Sequence, residues 1–257
     1  MPDLRQVMQF LKSLEGAGIE QLPQARDVSS LDKPGKETPV QRSPSAAIPT
    51  STSPSRSLPG MDETLDPNLS SASTLEILRE EVAQCELCGE LASTRTQTVF
   101  GVGNPRARLC LLGEAPGADE DRLGEPFVGR GGQLLNKILE ACHLGREDVY
   151  ILNVLKCRPP NNRNPLPEES QNCRRFLDRQ LQLISPEFIC CLGAVAAQNL
   201  LSTTTAIGRL RGKVHQYRGI HVVCTYHPAY LLRNPSAKKH TWDDIKLLMR
   251  EMGTPVD

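Results

Sequence analysis

The sequence predicts an α/β fold built on a parallel sheet covered on both faces. Four short apolar runs recur at residues 108–112, 149–154, 188–192 and 221–225, with helical spacing between them at 133–142, 168–183 and 194–201. The runs are near-continuously apolar instead of alternating, as strands buried on both faces must be.

Taken in order, residues 1–18 hold a short amphipathic helix, with Leu4, Val7, Met8, Leu11 and Leu14 on one stripe and Gly16 and Gly18 closing it. Residues 19–72 read as a Pro/Ser/Thr-rich linker with too few large apolar groups to offset chain entropy. The helix ahead of it fits either a tether or partner-binding element or a frayed, idle segment. The folded domain is expected over residues 73–253. Its last helix is expected at 242–252, with Thr241 as N-cap and Gly253 beyond its end.

The first apolar run opens into Gly113-Glu114-Ala115-Pro116-Gly117 and, further on, Glu125-Pro126-Phe127-Val128-Gly129. A strand that passes through a Gly/Pro-rich loop into a helix presents side chains at the carboxyl edge of a sheet, where open α/β proteins bind ligands. The other strands end at Asn153, Gly193 and Tyr226-His227-Pro228. In a parallel sheet these ends share one edge, so Glu114, Asn153 and His227 are expected to converge around a cleft with Phe127.

The 257 residues carry a formal net charge of zero, but the balance is uneven: from residue 151 onward fifteen Lys/Arg face eight Asp/Glu. A locally basic face is a mild pointer to nucleic acid or phosphate. No apolar stretch approaches the roughly 20 residues of a membrane span, and the amino terminus lacks a signal pattern. A soluble, cytoplasmic, monomeric protein is expected.

Nine cysteines sort by setting. Cys110, Cys190, Cys191 and Cys224 fall in apolar runs and Cys142 in a helix, as small buried hydrophobes. Cys85 and Cys88 (a C-x-x-C), Cys157 and Cys173 have polar neighbours and read as a four-thiolate metal site. Spacing alone leaves zinc and an iron–sulfur cluster both open.

The chain combines the motifs Gly113-Glu114-Ala115-Pro116-Gly117, Glu120-Asp121, Pro126-Phe127-Val128-Gly129, Asn153-Val154-Leu155-Lys156-Cys157-Arg158-Pro159-Pro160 and Tyr226-His227-Pro228-Ala229. Together they resemble the family-four, iron–sulfur uracil-DNA glycosylases over roughly residues 78–249. The resemblance implies a three-layer α/β/α sandwich around a four-stranded parallel sheet, uracil-containing DNA as partner, and hydrolysis of the N-glycosidic bond of uracil. In such an enzyme the amino-terminal helix, which falls outside the resemblance, would contact a repair or replication protein. The resemblance also implies a 4Fe–4S cluster on Cys85, Cys88, Cys157 and Cys173. The implied pocket comprises Gly113, Ala115, Gly117, Phe127, Asn153 and His227, with Phe127 stacking on uracil, Asn153 pairing with it and His227 stabilising the departing anion. Related glycosylases place a water-activating Asp where this chain has Ala115, so Glu114 and Glu120 remain as the catalytic carboxylates. Leu231 corresponds to the residue that enters the vacated base site, and Arg233 follows it as a phosphate contact. Arg158, Arg163, Arg209, Arg211 and Lys213 are expected to add further phosphate contacts.

Overall fold

A computed structural model describes residues 71–256. The expected amino-terminal helix and linker lie outside the described residues, apart from the last two linker positions, where the first described helix already begins. In chain order the elements are α1 (Ser71–Ala83), α2 (Gly89–Thr94), β1 (Val102–Gly103), β2 (Leu109–Gly113), α3 (Ala118–Leu123), α4 (Arg130–Ala141) and β3 (Tyr150–Asn153). There follow α5 (Pro167–Ile184), β4 (Phe188–Leu192), α6 (Ala194–Leu201), α7 (Ile207–Leu210), β5 (Val214–Tyr217), β6 (Ile220–Thr225), α8 (Pro228–Arg233) and α9 (Lys238–Glu251).

The strands form one sheet in the order β1-β3-β2-β4-β6-β5. The four expected strands are its parallel centre, and β1 and β5 pair antiparallel at the two edges. The sheet is therefore six-stranded and mixed, not four-stranded. Both additions were hard to see. β1 is two residues long, and β5 reads Val-His-Gln-Tyr and is half-exposed. A two-residue turn joins β5 to β6, with Arg218 at φ 49° and Gly219 at φ 83°, the left-handed pair that matches hairpin twist.

The central strands separate their side chains cleanly. Cys110, Leu112, Leu152, Ile189, Cys191, Val222 and Cys224 pack on one face with Leu78 of α1, Phe176 and Leu177 of α5 and Ala196 of α6. Leu109, Leu111, Ile151, Cys190, Leu192 and Val223 pack on the other with Leu135 and Leu139 of α4 and Ile245 and Leu248 of α9. Two helical layers around one sheet give the three-layer α/β/α arrangement.

The last helix begins earlier than expected. A 3₁₀ turn at Pro235–Ala237 runs straight into α9, so Thr241 lies inside the helix, 3% exposed, instead of capping it. Its hydroxyl has no partner among the described residues, so it caps no helix there. The helix stop holds: Gly253 follows with φ 80°.

Candidate active site

The register of the sheet creates the site. Gly113 and Asn153 are paired residues at the ends of β2 and β3. Beyond them the Gly113 and Glu114 carbonyls accept from the Val154 and Leu155 N–H groups at 3.0 Å each. The Gly-rich loop is thereby zipped to the segment that follows Asn153. A Cβ on Gly113 would collide with Asn153 Oδ1 and lie 2.6 Å from Phe127 Cζ. Glycine is required there because an amide and a ring close over the same point. The Phe127 and His227 rings lie 5.5 Å apart at 28°. Asn153, Phe127 and His227 therefore meet, as the strand ends led us to expect.

Asn153 is 2% exposed and its Oδ1 has no hydrogen-bond partner among the described residues. A buried, orphaned acceptor is costly unless a ligand satisfies it. Its backbone carbonyl accepts from the ammonium of Lys156 at 2.7 Å. Lys156 is itself 1% exposed, and burial pushes its ammonium down to about 8.

His227 Nδ1 accepts from the Ala229 N–H at 3.1 Å, which leaves the ring proton on Nε2. Burial, helped by the nearby Arg233 cation and opposed by Glu120, lowers its pKa to about 4. At neutral pH the ring is an uncharged donor. Two residues upstream, the Thr225 hydroxyl donates to Asp244 Oδ2 at 2.8 Å, and Arg211 grips both oxygens of that fully buried carboxylate at 3.0 Å. This network ties α9 to the end of β6 and fixes the start of the His227 loop.

Phe127 has φ 55°, a left-handed conformation that is costly for a bulky residue. Arg146 holds it there, donating to the carbonyls of Pro126 at 2.8 Å and Phe127 at 3.2 Å. Arg146 gives no local signal in sequence, and neither does Asp244; both act through contacts that only the fold creates.

Several expectations are corrected. Glu120 accepts from the Gly117 N–H at 3.1 Å and from the Val128 and Gly129 N–H groups at 3.0 Å each. Its two oxygens tie the two halves of the loop together, so positioning water is not what they are arranged to do, and the Gly117 N–H is already spent. Glu114 keeps its expected place at the end of β2, half-buried, with burial raising its carboxyl above the ordinary range. Ala115 is half-buried and turns toward the cysteine cluster. Leu231 is 1% exposed and packs with Leu134 and Ala237: it is a core residue, because α8 turns that side toward α4. Arg233 is exposed, as a phosphate contact needs. Arg211 is consumed by Asp244, and Arg163 by Glu169 and Glu90 at 2.6 and 2.7 Å, so neither is a free cation.

The four singled-out cysteines gather beside this edge. Cys157 and Cys173 are buried with Leu91 and Leu155, and Cys88 packs against them. Cys85 and Cys88 lie within electrostatic reach of Cys157, and Cys157 and Cys88 within reach of Cys173. Burial pushes the Cys88, Cys157 and Cys173 thiols up, Cys173 to about 11. Against this, Arg95 Nη1 donates to Cys157 Sγ at 3.1 Å and Asn172 Nδ2 to Cys88 Sγ at 3.6 Å. Four sulfurs, no carboxylate in the set, and N–H donors aimed at them suit a polynuclear thiolate-bound cluster.

Residues 100–246 match the family model of the uracil DNA glycosylase superfamily. The chain belongs to this superfamily. It is 46% identical over 181 residues to a type-4 uracil-DNA glycosylase of Archaeoglobus fulgidus, covering 67% of this chain and 90% of that protein. A type-4 uracil-DNA glycosylase of Thermotoga maritima is 46% identical over 164 residues, 63% of this chain and 85% of the relative. A type-5 uracil-DNA glycosylase of Thermus thermophilus is 30% identical over 193 residues, 59% and 85% of the two chains. The superfamily match spans all of the pocket residues named above, while Cys85 and Cys88 precede it. No helix among the described residues is long and apolar enough to cross a membrane.

Proposed function

We propose that this chain is a uracil-DNA glycosylase that hydrolyses the N-glycosidic bond of uracil in DNA and leaves an abasic site. The observation that carries the reading is the meeting of Asn153, with its buried unpartnered Oδ1, with Phe127 and His227 at one sheet edge.

An enzyme acting on a base must swing it out of the stack. The extruded ring lies against Phe127. Asn153 Oδ1 accepts from uracil N3–H and Nδ2 donates to O4, a pairing that cytosine, with the opposite pattern at those atoms, cannot make. As the bond breaks, negative charge grows on the base and positive charge on the sugar. His227, neutral and proton-bearing at Nε2, donates to uracil O2 and stabilises the base anion. A neutral donor loses less on desolvation than a buried cation would. Glu114, the carboxylate left free after Glu120 is committed to the loop, faces the cationic sugar and the attacking water.

Cys85, Cys88, Cys157 and Cys173 would hold a 4Fe–4S cluster. Bound there, it would pin the segment between Cys157 and Cys173 and supply no electrons to a hydrolysis.

The test is a single-uracil oligonucleotide treated with the purified protein and then with alkali. Cleavage at uracil and none in the matched thymine strand is expected; equal cleavage of both would remove the pocket assignment.

A further inference from the structure

We propose that Tyr230, stacked on Tyr226, is the platform on which the base next to the extruded uracil stacks, in place of an inserted Leu231. The proposal rests on the uracil-glycosylase reading above.

Leu231 is 1% exposed in a packed cluster and would have to be pulled from the core to reach DNA. Tyr230, its neighbour on α8, is 39% exposed, an uncommon amount for an aromatic ring, and lies three residues after His227. The ring is not loose. It stacks on Tyr226 at 5.2 Å and 26°, and the Arg211 guanidinium lies 5.7 Å from the Tyr226 ring centroid. Arg211 is in turn fixed by the buried Asp244. The stack is thus anchored in the body of the protein and leaves Tyr230 exposed on the helix that His227 caps.

Extruding a base leaves its neighbour with one unstacked face. A preordered aromatic ring covers such a face with little loss of rotamer freedom, and it tolerates any sequence because every base has a π-face. The exposed Arg233 and Lys239 that follow provide the charge complementarity a polyanionic strand needs.

The experiment compares Tyr230→Ala, Tyr230→Phe and Leu231→Ala in the full-length protein. One readout is uracil release from a duplex and from the same single strand. The other is binding, by anisotropy, to a duplex with a stable abasic-site analogue. Tyr230→Ala is expected to lower duplex kcat/KM and analogue affinity about tenfold, with a smaller loss on the single strand, and Tyr230→Phe to restore both. Leu231→Ala is expected to lower the melting temperature without this selective duplex loss. Wild-type duplex behaviour in Tyr230→Ala, or an equal loss in Tyr230→Phe, overturns the platform. If the wild type releases no uracil from any strand, the glycosylase reading fails by itself, and the analogue-binding comparison still decides the role of Tyr230.

Discussion

Asn153 and His227 carry opposite electrostatic requirements, and each gives a separable prediction. At Asn153 the buried Oδ1 needs a donor from the ligand, and in the proposed pairing Nδ2 donates to uracil O4. Asn153→Asp removes the donor and adds a buried charge facing uracil O4. Uracil release is expected to fall about 100-fold, and selectivity against cytosine to shrink; unchanged selectivity would remove Asn153 from base recognition. At His227 the pKa of about 4 means the ring is neutral from pH 5 upward. His227 is therefore expected to add no acid limb near 6.5 to the single-turnover rate; its own limb lies near pH 4, below the one set by protonation of the Glu114 carboxyl, which burial raises. A limb between 6 and 7 that disappears in His227→Gln would contradict the neutral donor. The sign for stability follows from the same shift. The folded pKa is depressed, so the unfolded chain binds the extra proton between about pH 4 and 6.5. The contribution is fully present above 6.5 and lost as pH falls through that window, by up to about 3 kcal/mol. His227→Gln should flatten this part of a denaturation-versus-pH curve.

At the scale of elements, the loop from Phe127 to Gly129 is shaped from both sides. Glu120 takes the Val128 and Gly129 N–H groups, Arg146 takes the Pro126 and Phe127 carbonyls, and a Cβ on Gly132 would collide with the Phe127 carbonyl. Arg146→Ala frees a residue held in a costly left-handed conformation and leaves two carbonyls unpaired. It is expected to cost about 2 kcal/mol of stability and to raise KM for uracil DNA more than it lowers kcat. Arg146→Lys should recover only part of this, since a point charge cannot bridge both carbonyls; an unaltered KM in Arg146→Ala would show that Phe127 holds its pose unaided. These contacts also mark the limit of what the sequence disclosed. The central strands and α5 and α6 were legible because each is long enough to show its period or its continuous apolar run. The strand-end rule then gave Glu114, Asn153 and His227. Short, half-exposed β1 and β5 show no period, Thr241 looked like a cap because a 3₁₀ turn had already started the helix, and Leu231 looked free because α8 has only six residues on which to read a buried side.

At the scale of the whole molecule, the cysteine cluster and the base pocket are joined through one buried ammonium. Lys156 donates to the Asn153 carbonyl at 2.7 Å, and its charge reaches Cys173 and Cys157. The Arg95 side chain bonds Cys157 Sγ and the Cys85 and Ala83 carbonyls, tying α1 to the same centre. Loss of one thiolate ligand should therefore act on Asn153 more than on His227, which is held from the other side of the sheet edge by Thr225 and Asp244. Cys157→Ala is expected to lose iron and the brown absorbance of a cluster. A loss of about 3 kcal/mol would lower the melting temperature by roughly 10 °C in a domain of this size. In whatever folded protein remains, uracil-over-cytosine selectivity should fall while His227 still adds no acid limb near 6.5. Full iron content in Cys157→Ala would show that this cysteine is no ligand. Iron loss with unchanged selectivity would show instead that the pocket stands without the centre beside it.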